Sequence, residues 1–149
     1  MIVRFLAVGV AIAVALVVSF ILRRRGNDAP TQASYDIPVQ LDRSDFASPE
    51  SPWLVAVFTS ATCGTCEDVA TKALVLASRD VAVERIDFTV APALHQRYNI
   101  QAVPTLVIAN AQGVVQKGML GPVKAQDLWA AVAECREPGS SPGACENHG

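Results

Sequence analysis

Apolar and polar positions fall into blocks along the 149-residue chain. The first block, residues 5–22, reads F-L-A-V-G-V-A-I-A-V-A-L-V-V-S-F-I-L and carries no charge. A run of about 18 apolar residues is just long enough to cross a bilayer as a helix. A soluble helix of that length would show a polar face, and this one has none. A cleaved leader would need small residues soon after the run, whereas Arg23, Arg24 and Arg25 follow at once. The pattern predicts an uncleaved transmembrane helix over 5–22 behind a short flank, 1–4. Residues 23–36 form a basic flank and a linker of small, polar and turn-forming types.

Beyond the linker the pattern becomes that of a globular domain, 37–137. A short first strand is expected over 37–41 and the start of a short helix over 42–46. Residues 53–59, W-L-V-A-V-F-T, are continuously apolar, as in a strand buried on both faces. Residues 63–77 have helical character, with Val69, Ala73, Leu74 and Ala77 at three-to-four spacing. A second buried strand is expected at 81–88, a short helix at 91–98, and a third strand at 105–109. Gly113 marks a turn, and 114–117 returns as the other arm of a hairpin. An amphipathic helix over 124–135 closes the domain, with Leu128, Trp129, Val132 and Ala133 as candidate core residues. Residues 138–149 read as a flexible tail. Strand–helix–strand–helix followed by a hairpin and a helix implies an α/β fold, a mixed sheet with helices on both faces.

Composition changes this picture little. The net charge of −2 gives no basic footprint for nucleic acid. The chemistry lies in the cysteines. Cys63 and Cys66 stand in T-C-G-T-C, directly after the apolar strand. A strand feeding into C-x-x-C at a helix start, within an α/β pattern, is the context of a redox pair. A cysteine at a helix N-terminus meets unpaired N–H groups and the positive end of the helix dipole, which favour the thiolate. Cys66, one turn on, can reach Cys63 and close a small ring. Gly64 and Thr65 complete the motif, and Glu67 after it reads as a solvated side chain. His95 reads as a surface or boundary residue. No second compact pair completes a tetrahedral metal site, so no metal is assigned.

Cys135 and Cys145 bracket a Pro/Gly/Ser loop. A disulfide there would close a loop of about ten residues and contribute about 2–3 kcal/mol in an oxidising compartment. In a reducing one both remain thiols. The two readings go with two orientations of the anchor. The arginines after residue 22 favour a cytoplasmic domain, and the bracketed loop favours an extracytoplasmic one.

The sequence resembles the thioredoxin family over about residues 35–134. The resemblance rests on C-G-T-C at 63–66 after an apolar strand, Ile86-Asp87 at the end of the next strand, and V-P-T-L-V-I at 103–108. A-Q-G at 111–113 and Gly121 before the last helix add to it. It implies a thioredoxin-like fold in which Cys63 is the exposed nucleophile and Cys66 the resolving thiol. It also implies that Pro104 is a cis-proline, an uncommon conformation, which presents the Val103 backbone to a docked chain. Thr62 stands where the family usually has tryptophan, and Thr65 where it has proline. The acidic residue the family keeps in the preceding strand falls at Val57, and its usual lysine partner near Val83.

The function expected is that of a single-pass membrane thiol–disulfide oxidoreductase acting on cysteines or disulfides of proteins. Val103, Pro104 and Thr62 would shape the docking edge. It needs a redox partner protein and no bound cofactor. Two alternatives stand beside it: a non-catalytic binding module of the same fold, motivated by Val57 and Thr62, and a metal-delivery protein.

Overall fold

The strand Trp53–Thr59 (β1) is continuously apolar because it lies inside the sheet with both faces covered. Val55 and Val57 face one core layer, and Leu54, Ala56 and Phe58 the other; all five are buried. This computed structural model describes residues 35–139. Within them β1, β2 (Val81–Asp87), β3 (Thr105–Asn110) and β4 (Val115–Leu120) form one sheet in the order β2-β1-β3-β4. β1 runs parallel to β2, pairing Trp53 with Val81 through Thr59 with Asp87. β3 is antiparallel to β1, and β4 to β3, with a register shift at Ile108/Ala109.

Three helices cover this mixed sheet. The first, α1, is Cys66–Leu74; α2 is Pro92–Arg97; α3 is Ala125–Arg136. On α1 the side chains of Cys66, Val69, Ala70 and Ala73 share one face and are buried, as a 3.6-residue period requires. Val69, Ala70 and Ala73 meet Val55, Val57, Leu106 and Ile108 from the sheet and Leu128 and Val132 from α3. The opposite layer holds Phe58, Ile86, Tyr98, Phe46 and Leu41 beneath α2 and a 3-10 turn at Arg43–Asp45. Each fully buried side chain of this size contributes about 1.5–3 kcal/mol relative to exposure.

Several boundaries differ from the sequence pattern, for local reasons. Residues 37–41 are not a strand; Gln40 alone makes a bridge, to Val114. Pro38 has no N–H to give a ladder, and the segment meets the hairpin through Val115 N to Val39 O, Leu41 N to Gly113 O and Gln40 Nε2 to Gln112 O. β2 is an edge strand, so only Val81 and Ile86 are buried on it. On α3, Leu128 and Val132 enter the core, while Trp129 is 43% exposed and Ala133 faces solvent. The Trp129 indole instead donates to Lys72 O at 3.4 Å. On α1, Leu74 is exposed, and Ala77 lies beyond the helix. Among the described residues no helix is long and apolar enough to cross a membrane; the run 5–22 lies outside them.

Candidate active site

The sheet's register brings the chemistry to one end. β1 ends at Thr59, β2 ends at Asp87 directly opposite, and β3 begins at Thr105, opposite Phe58. The chain leaving β1 turns through residues 60–65 before entering α1. Two tight turns shape that passage: Cys63 N donates to Ser60 O at 3.1 Å, and Cys66 N to Cys63 O at 3.4 Å. The helix therefore begins at Cys66 rather than at Cys63. Thr65 is its N-cap residue but makes no side-chain cap. Its hydroxyl lies 3.8 Å from Cys63 Sγ, to which it donates.

Cys63 and Cys66 are joined as a disulfide, with Sγ–Sγ 2.07 Å and Cα–Cα 5.5 Å. Their surroundings are unequal. Cys63 is half-buried, and Cys66 is 1% exposed. Thr62, Gly64 and Thr65 are exposed around them. The Val103–Pro104 bond is cis, and Pro104 immediately precedes the β3 residue that pairs with Phe58. Pro104 O accepts from Gly121 N at 2.8 Å, and Thr105 Oγ1 donates to Ala102 O at 2.7 Å. Ser60 and Val103 line a pocket of about 220 Å³ together with Phe88, His95 and Gln101.

His95 is buried at 3% exposure, against the expectation of a surface or boundary position. Its ring packs edge-on against Phe58 and Phe88, with centroids 5.2 and 5.3 Å away. Nε2 lies 3.0 Å from Ile86 O; a carbonyl only accepts, so the proton is assigned to Nε2.

Val57, where the family's acid would stand, is buried among apolar side chains, and Val83 packs against the same cluster. The charges stand instead on Arg85, opposite Val57 in the β1–β2 register, and on its partners. Arg85 Nη1 donates to Glu67 Oε2 at 2.6 Å, and Arg85 Nε to Thr59 Oγ1 at 3.2 Å. Thr59 Oγ1 donates to Asp87 Oδ2 at 3.3 Å. Hydrogen bonds from the Thr89 hydroxyl and backbone N–H hold the Asp87 carboxyl below the usual carboxylate range, with smaller help from Thr59 and Arg85. Glu67 is exposed, as expected, but ion-paired. Sequence reading missed Arg85; the period of two on β2, which puts it on the face of Val83, was the available signal.

Cys135 stands apart on α3, half-buried in a groove against β4, and burial pushes its thiol up. Its sequence partner Cys145 lies outside the described residues. Among the described residues no three His, Cys, Asp or Glu side chains are grouped to hold a metal ion.

The thioredoxin family model matches residues 40–134. No curated protein matches the sequence. A solved structure described as a malarial protein is similar at 15% identity and TM-score 0.51, the match covering 56% of this chain and 97% of that one. The germline-specific thioredoxin Deadhead from Drosophila melanogaster is 23% identical with TM-score 0.51, covering 58% and 84%. Mitochondrial thioredoxin 3 from Saccharomyces cerevisiae, in its oxidised form, is 22% identical with TM-score 0.49, covering 58% and 81%. At these identities the likeness to the first two is one of fold.

Proposed function

The chain belongs to the thioredoxin family, whose model matches more than half its length, and from that premise we propose that it is a membrane-anchored thiol–disulfide oxidoreductase acting on proteins. The observation that carries the reading is the Cys63–Cys66 disulfide with one half-buried and one fully buried sulfur. In the reduced protein Cys63 loses its proton to water and its thiolate attacks one sulfur of a substrate disulfide. The Cys63–substrate bond forms, the substrate S–S bond breaks, and a substrate thiolate leaves. Cys66 then gives its proton to the departed substrate thiolate and, as a thiolate, attacks Cys63 Sγ. The Cys63–Cys66 bond forms, and the second substrate sulfur leaves as a thiolate that takes up a proton. The substrate gains two electrons and this protein loses two; a dithiol partner protein restores them. Run backwards, the same steps oxidise a substrate dithiol.

Thr62, Val103 and Pro104 border the half-buried sulfur's end of the sheet and form the edge on which an extended substrate chain docks. Residues 5–22 hold the domain at a bilayer. The full chain in mild detergent, reduced and mixed with a protein disulfide, should become oxidised as the substrate is reduced. Cys66→Ser should retain substrate as a mixed disulfide. A parent protein that neither reduces nor oxidises a protein disulfide overturns the reading and leaves a binding module. Protease protection in intact spheroplasts fixes the side: digestion places the domain outside, and protection until lysis places it within.

A further inference from the structure

We propose that Arg85 is a positioning residue for the Cys63–Cys66 centre, acting by holding the Glu67 carboxylate in an ion pair so that its charge does not oppose thiolate formation. The inference rests on the thiol–disulfide reading above.

Glu67 follows Cys66 in the first turn of α1. A free carboxylate there disfavours a second negative charge on a nearby sulfur and raises the thiol pKa. Glu67 is not free: Arg85 reaches across from β2 to its Oε2 at 2.6 Å. Nor does Arg85 sweep freely. Its Nε is tied to Thr59 Oγ1, the hydroxyl of a fully buried residue, and its Nη2 lies 3.9 Å from Asp87 Oδ2. A guanidinium engages several partners at once through its fixed fork, which an ammonium does not do.

The other charged groups near this end are already engaged. Asp68 is paired with Lys72 at 2.5 Å, and Lys72 also donates to Val123 O at 3.0 Å. Asp87 accepts from Thr89 and Thr59. His95, from α2, donates to Ile86 O. β1 and the Pro104 turn contribute no ionisable side chain at this end. Arg85 meets two carboxylates, Glu67 at 2.6 Å and Asp87 at 3.9 Å; Asp87 is also held by Thr89 and Thr59, so Glu67 is the one that depends more on Arg85. Val57 lies opposite Arg85 in the β1–β2 register, so no acid beneath the arginine competes for it.

The test is a double-mutant cycle on the full chain, reduced, in a Cys135→Ser, Cys145→Ser background. The Cys63 thiol pKa is read from the pH dependence of iodoacetamide alkylation at low ionic strength. Arg85→Leu should raise it by about half a unit, roughly threefold less thiolate below the pKa. Arg85→Lys should recover part of that. Glu67→Gln added to Arg85→Leu should return the value to the parent's, and the Arg85→Leu shift should fade in molar salt. An unchanged pKa in Arg85→Leu overturns the proposal. So does a shift that Glu67→Gln fails to reverse, because Arg85 then acts on the sulfurs directly or through packing. Alkylation needs no substrate turnover, so the cycle remains readable if the parent fails to exchange with protein disulfides.

Discussion

The two ends of the sheet are built on different principles. At one end β1 and β2 stop and the chain passes through turns before α1; there lie the disulfide, Pro104 and the Arg85 pairs. At the other, the β3–β4 turn is tied to the segment before β1. Leu41 N donates to Gly113 O at 2.8 Å, and the Arg43 guanidinium donates to Asn110 O, Ser48 O and Ser51 O at 2.8, 3.0 and 2.9 Å. Asn110 Oδ1 caps the turn by accepting from Gln112 N and Val114 N, both at 3.0 Å. The reactive end bonds largely between side chains, of which Arg85 and Glu67 are partly or well exposed, and the tied end largely from one buried arginine to backbone carbonyls. Register is thus fixed away from the place where a bond must open and close, and substitutions at the two ends should separate chemistry from stability.

The largest effect belongs to the reactive end. Cys63→Ser should reduce exchange with a protein disulfide to the uncatalysed background, because no other sulfur at that end is exposed enough to attack. Its reduced form should unfold in urea close to the reduced parent. A Cys63→Ser protein that keeps its turnover would break the comparison at its root.

Two glycines give the converse. Gly113 sits at φ +78°, and a Cβ there would lie 1.9 Å from Leu41 O. Gly113→Ala should destabilise by about 2–4 kcal/mol, from backbone strain and the displaced segment, while the folded fraction keeps its Cys63 alkylation rate. Gly64, inside the motif, has open space around its Cβ direction, so Gly64→Ala should fall within about 0.5 kcal/mol of the parent. Urea midpoints of the oxidised proteins decide both.

The arginines sharpen the contrast. Arg43 is 8% exposed, and burial lowers its pKa although it remains charged. Arg43→Met removes one donor from each of three carbonyls, of which Ser48 O and Asn110 O keep a backbone donor, and should cost about 1–3 kcal/mol. Arg85, with a side chain 37% exposed, should cost no more than about 1 kcal/mol as Arg85→Leu. Equal costs in urea unfolding would mean that the reactive end is as tightly tied as the other.

Much of the fold was legible where burial alone dictates the pattern. β1 has the predicted bounds because a central strand needs apolar side chains on both faces. The C-x-x-C after it, with Val-Pro-Thr about forty residues on, was enough to expect the redox pair. What was not legible depends on partners distant in sequence. Trp129 reads as core by spacing, yet its indole is drawn to Lys72 O across the helices. His95 reads as a boundary residue because nothing local announces the two phenyl rings that enclose it. Arg85 passed unnoticed because its role depends on Glu67 and Thr59, 18 and 26 residues away. The start of α1 was placed three residues early because periodicity does not register the two turns that precede Cys66.

The smallest effect lies in the pH dependence of the tied side of the core. Tyr98 is buried beside the 3-10 turn; its hydroxyl donates to Asp45 Oδ2 at 2.5 Å and accepts from Asp42 N at 3.0 Å. Burial, followed by the Asp45 hydrogen bond, pushes its pKa from 10.0 up to about 12. A folded pKa raised above the unfolded one gives stability that is complete below about pH 10 and is lost as pH rises toward 12. In the oxidised protein Cys63 and Cys66 are bonded and do not titrate. Cys135, whose thiol burial also pushes up, would lose stability in the same direction, so the comparison belongs in a Cys135→Ser background. There the urea midpoint should fall between pH 9 and pH 11.5 in the parent and fall less in Tyr98→Phe. At pH 8 the variant should be weaker by about 1 kcal/mol for the lost hydrogen bonds. If both proteins lose stability equally across that interval, the alkaline dependence lies outside Tyr98. Cys63 and Cys66 are excluded as its source, because the bonded pair does not titrate in the oxidised protein.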